Sequence, residues 1–150
     1  MTNDHVIETL NDLVQIHNDR IAGYEKSLKE LRPEDEDLKP NFLNYIQQSH
    51  ECKSALGTEI QVLKGTIDTS TTTGGKLYRM WMDIKSAFTG KDDHAILSNA
   101  EFGEDNVQKA YRQALKEELP ANISTLIQSQ QTELKQAHDE VKALRDAHTV

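Results

Sequence analysis

Apolar residues recur in alternating steps of three and four along four long stretches of this chain, a period that helices bury and strands do not. In the first stretch the series is Ile7, Leu10, Val14, His17, Ile21, Tyr24, Leu28 and Leu31. The second carries Phe42, Tyr45, Ile46, Ser49, Cys52, Leu56, Glu59, Ile60 and Leu63. The third reads Leu97, Ala100, Glu104, Val107, Tyr111 and Ala114, and the fourth Ile123, Ile127, Gln130, Leu134, Ala137, Val141 and Leu144. Four such stripes predict an all-α fold, a four-helix bundle. Because His17, Tyr24, Glu59, Glu104 and Gln130 fall on the stripes, the bundle is expected to hold polar groups inside.

The punctuation agrees with this division. Asn3 is a good helix cap and Asp4 puts negative charge in the first turn, where the helix dipole favours it. Arg32-Pro33-Glu34-Asp35-Glu36-Asp37 reads as a charged turn, since proline biases the residue before it away from helical geometry. So short a connection makes the second helix fold back antiparallel. That helix is expected to follow Pro40 and to stop near Gly65 as its C-terminal cap. Thr66 and Thr69 to Gly75 form a loop rich in threonine and glycine, with no apolar anchor. A short amphipathic helix follows over Lys76–Phe88, its Leu77, Met80, Trp81, Ile84 and Phe88 on one side. Asp92 or Asp93 caps the third helix, and Pro120 marks a tight corner before the fourth. If the loop and its short helix run the length of the bundle, the second and third helices are parallel. If they lie across one end, the topology is plain up-down.

The 150 residues make one domain, and a charge of -8 at pH 7 repels phosphate backbones and anionic lipid surfaces. No nucleic-acid or membrane partner is expected. A single cysteine, Cys52, excludes an intramolecular disulfide and suits a reducing compartment. No basic run followed by an apolar stretch opens the chain, and no apolar run reaches membrane-spanning length, so a cytoplasmic location is expected. Met80, Trp81, Met82 and Phe88 put more apolar bulk on the short helix than one stripe buries, and a homodimer is the expectation drawn from it.

Glu59, Glu101, Glu104 and His138 are the candidate metal ligands. Helix bundles hold paired iron or manganese with a Glu from each of two helices and a Glu-x-x-His pair from each of the other two. No Glu in this chain has a His three residues later. Neither pair can be built, so a reduced site is the most that the carboxylates could form, with Tyr24 beside it. The opposite reading of the same residues is a hydrogen-bonded polar layer, with His17 a satisfied core histidine. His50-Glu51-Cys52-Lys53-Ser54 has the spacing of a phosphotransfer helix, in which an exposed histidine is followed by a lysine and a small residue. Cys52 itself is expected in the core.

The segments Leu10-Asn11-Asp12-Leu13, Gly23-Tyr24-Glu25, Tyr78-Arg79-Met80-Trp81-Met82-Asp83-Ile84-Lys85, Glu101-Phe102-Gly103-Glu104-Asp105, His138-Asp139 and Leu144-Arg145-Asp146 together resemble an uncharacterised bacterial family of ferritin-like four-helix bundles. The resemblance spans nearly the whole chain. It implies the one-crossover fold, with a short extra helix between helices two and three, and places Glu59, Glu101 and Glu104 in the interior. Tyr78 stands where the family pattern leads one to expect His, which weakens a metal role for the short helix. The expected function is that of a non-enzymatic, stress-related helical protein with a degenerate ferritin-like interior and no cofactor. The alternatives are a bundle binding iron or manganese and a phosphotransfer domain using His50.

Overall fold

The computed structural model describes residues 3–70 and 93–147. Four helices account for most of them: α1 (Asn3–Glu30), α2 (Lys39–Val62), α3 (Asp93–Ala114) and α4 (Ala121–Ala147). The charged turn after α1 is itself ordered as a 3-10 helix, Pro33–Leu38, that runs directly into α2. Its Leu38 is fully buried, so the turn closes the end of the core as well as reversing the chain. The expected helix over Lys76–Phe88 and the apolar surplus behind the homodimer lie outside the described residues, as does most of the threonine-glycine loop.

Contacts between helices fix their directions. His17 meets Ser49 while Arg20 meets the Tyr45 carbonyl, so α1 and α2 run in opposite senses. His5 meets Glu117 while Arg20 meets Glu104, so α1 also opposes α3. Gln130 reaches the Cys52 carbonyl and Glu140 reaches Asn41, which sets α4 against α2. It follows that α2 and α3 are parallel.

The end of α2 and the start of α3 therefore lie at opposite ends of the bundle. Gly65, just past α2, packs on Ile7 near the start of α1, whereas Ile96 and Leu97 of α3 cluster with Tyr24, Leu38 and Phe42 at the far end. The connection sets out accordingly. Asn11 donates to the Thr66 carbonyl and accepts from the Asp68 amide, and Asn18 donates to the Ser70 carbonyl, so residues 66–70 climb along α1. Of the two topologies open to the sequence, the described helices have the one in which α2 and α3 are parallel.

Most of the stripe residues are buried as their period requires, while Ile7, Leu28, Leu31, Ile46, Glu59, Leu63 and Leu144 are half-buried. One apolar cluster gathers Leu10, Val14, Leu56, Val107, Tyr111, Ile127 and Leu134, and a second gathers Tyr24, Phe42, Tyr45, Leu97, Ala100 and Val141. Between them lies a layer of polar side chains shut off from solvent.

Candidate functional site

Arg20 is the centre of that layer. It falls one turn after His17 and one turn before Tyr24, so the helical repeat that buries those two rings buries the guanidinium with them. Its exposure is 0%, and an unpaired charge there would cost several kcal/mol. Every one of its N–H groups is instead received by an oxygen. Nε donates to Glu104 Oε1 at 3.1 Å, and Nη2 donates to Glu104 Oε2 at 2.8 Å and to Gln48 Oε1 at 2.9 Å. Nη1 donates to the Tyr45 carbonyl at 3.1 Å and to Ser49 Oγ at 2.8 Å. The Tyr24 hydroxyl completes the Glu104 shell at 2.5 Å. The Tyr24 and Tyr45 rings lie 5.5 and 5.7 Å from the guanidinium carbon, close enough for cation–π attraction.

A directional chain of hydrogen bonds leaves this pair. Ser49 Oγ accepts from Arg20 and lies 2.9 Å from His17 Nδ1. The Tyr111 hydroxyl donates to Gln130 Oε1, which leaves it to accept from His17 Nε2 at 2.7 Å. Gln130 then donates to the Cys52 carbonyl at 3.2 Å. An arginine that can only donate stands at one end, and a carbonyl that can only accept stands at the other. Because burial holds His17 neutral and its Nε2 donates to Tyr111, Nδ1 is left to accept from Ser49, which selects the tautomer protonated on Nε2.

The electrostatics follow the burial. Desolvation, with Arg20 and Lys53 adding positive charge, holds His17 well below the usual histidine value. Burial, the largest single influence, would lower the Arg20 value, but the Glu104 carboxylate together with Tyr24 and Cys52 turns the net shift upward. Burial and Glu104 push the Tyr24 hydroxyl well above its ordinary range, and burial does the same to Tyr111. The Cys52 thiol is buried and pushed up to about 11 by desolvation, as an unreactive core residue should be.

The expected ligands are dispersed. Glu104 is inside, bound to Arg20, while Glu101 is held by Arg145 of α4 at the helix seam. His138 lies on the same seam between Asp105 and Asp139, and Glu59 is half-buried on α2. Among the described residues no group of three or more His, Cys, Asp or Glu side chains could hold a metal ion. His50 is exposed in the middle of α2 with Lys53 half-buried and Ser54 exposed, the placement that a phosphotransfer histidine needs. No helix among the described residues is long and apolar enough to cross a membrane.

Arg20 was the residue missed by reading stripes, because a cation on an apolar face is taken for the edge of the stripe. The signal was present in the spacing His17, Arg20, Tyr24, which puts a positive charge on the face that meets Glu104. Over residues 5–117, which take in all but the first two residues of α1 and the whole of α2 and α3, the chain matches the family described as "Domain of unknown function (DUF2383)", and it belongs to that family. No curated protein matches it.

Proposed function

We propose that this member of the family is a non-enzymatic, cytoplasmic, ferritin-like bundle that keeps the one-crossover scaffold without an oxidase centre, and serves a binding or structural role. The observation that carries the reading is the buried Arg20–Glu104 pair, with both side chains at 1% exposure or less. A carboxylate inside a helix bundle needs a neutralising partner, and a metal ion is one solution. Here the chain supplies its own cation. The parallel run of α2 and α3 supports the ferritin-like part of the reading, since a single long crossover is the mark of those bundles. The dispersal of Glu59, Glu101, Glu104 and His138 supports the absence of a redox centre. The test is to purify the protein without chelator, measure its metal content, and add ferrous iron under oxygen. The expected result is no stoichiometric metal and no oxygen uptake above the buffer rate. Stoichiometric iron with coupled oxygen consumption would overturn the reading and restore the metal-binding alternative.

A further inference from the structure

Arg20 comes from α1, but the five oxygens that receive it come from the other side of the layer: Tyr45 O, Gln48 Oε1 and Ser49 Oγ from α2, and both Glu104 oxygens from α3. The receptor and its occupant thus belong to different elements. We propose that α2 and α3 form a guanidinium-binding cage, of which Arg20 is the resident ligand. The inference deepens the internal-cation reading above and rests on it.

Three features define the ligand class. The acceptors match the planar fork of a guanidinium, which offers five N–H groups in fixed directions, and their distances fall between 2.8 and 3.3 Å. The Tyr45 ring adds an aromatic wall from α2. Charge decides against a divalent metal. Among the described residues Glu104 is the one anion in contact with Arg20, and His17 and Tyr24 are held neutral, so a monovalent cation balances the layer while a divalent ion would leave surplus charge at zero exposure.

The cage adjoins a cleft at the surface. Tyr45 and Gln48, two members of the cage, also line a cleft of about 130 Å³ between α2 and α4, together with Asn44, Glu133, Gln136 and Glu140. The two glutamates stand one above the other on α4, seven residues apart, and attract cations to the opening.

The experiment empties the cage and offers it a free ligand. Arg20→Ala leaves the Glu104 carboxylate buried without its counter-charge, only the Tyr24 hydroxyl of the partners named above remaining on it, which predicts a large fall in Tm. Methylguanidinium chloride at millimolar concentration should raise the Tm of Arg20→Ala by a saturable shift that the natural protein does not show. If Arg20→Ala does not fold alone, the same salt should restore its far-UV helical signal on refolding from urea. Arg20→Ala combined with Glu104→Gln removes the cage's anion and should abolish the response, while manganese chloride should leave Arg20→Ala unchanged. The proposal is overturned by no methylguanidinium response in either assay, by an equal response in the double variant, or by stabilisation with manganese instead. Manganese stabilisation of the variant would leave the reading of the natural protein intact, because that rests on iron uptake with Arg20 in place.

Discussion

His17 and His138 carry the same imidazole, and their surroundings shift its proton affinity in opposite directions. His17 is sealed between Ser49 and Tyr111, where desolvation lowers its pKa far below 6.5. The unfolded chain therefore binds the proton better than the native one, and the stability His17 contributes is whole above about pH 6.5 and is lost as pH falls below it. His138 is partly buried too, but its contacts with Asp139 and Asp105 outweigh desolvation and raise its pKa above 6.5. Its contribution is present below about pH 6.5 and disappears as pH rises through the folded value. Between pH 7.5 and 5.5 the two histidines pull against each other. His138→Gln should lose more stability on acidification than the parent, by up to about 1.4 kcal/mol per pH unit for the one proton released from competition. His17→Gln should lose less than the parent. Urea titrations of the three proteins at pH 5.5, 6.5 and 7.5 check the signs, and parallel pH slopes for all three would refute the assignment.

At the level of elements, the crossover is secured by side chains packed against glycines. Gly65 was expected to end α2 by supplying a left-handed residue, but the left-handed position is Lys64, with φ of 66°, and Gly65 serves another purpose. A Cβ at Gly65 would come within 2.9 Å of Ile7 Cγ2 and Cδ1 and 3.0 Å of Cγ1, so the glycine lets the chain pass close over α1. At Gly57, inside α2, a Cβ would meet Ile67 Cδ1 at 2.8 Å and Cγ1 at 3.5 Å. The two sites differ in what can yield. Ile67 is half-buried and its terminal methyl can swing aside, whereas Ile7 presents the stiff branched base of its side chain to Gly65. Gly65→Ala should therefore destabilise the protein by about 1–3 kcal/mol, the usual cost of overpacking. Gly57→Ala should be near neutral, because about 1 kcal/mol of helix propensity offsets the displaced methyl. Equal urea midpoints for Gly65→Ala and the parent would show that the close passage imposes no constraint.

At the scale of the whole molecule, the direction of α3 decides what the bundle is. A crossover places Val62 and His94 at opposite ends, separated by about 35 Å along the axis at 1.5 Å per residue. An up-down arrangement would bring them within about 15 Å, across one end of the bundle. Val62 is 71% exposed and His94 partly so, which makes both suitable for spin labels once Cys52 is replaced by serine. Electron–electron distance measurement on Val62→Cys/His94→Cys should give the long separation. A dominant short distance would overturn the topology and, with it, the ferritin-like reading.

The sequence by itself determined the elements. The stripes and their punctuation placed the four helices to within a few residues, although α2 starts at Lys39 rather than after Pro40 and ends at Val62 rather than near Gly65. Leu10, Val14, His17, Tyr24, Glu104, Tyr111 and Gln130 are all buried as their period demands. Helical periodicity is a local property, so it can be read from one segment at a time. Partners across helices cannot be read in that way. Glu101 and Glu104 share a spacing that suggests one site, yet the fold sends the first to Arg145 and the second to Arg20. Only the tertiary structure decided that the charge opposite Glu104 belongs to the chain itself. That pairing depends on the levels at which α1, α2 and α3 meet, and those levels are set by the packing of both apolar clusters at once.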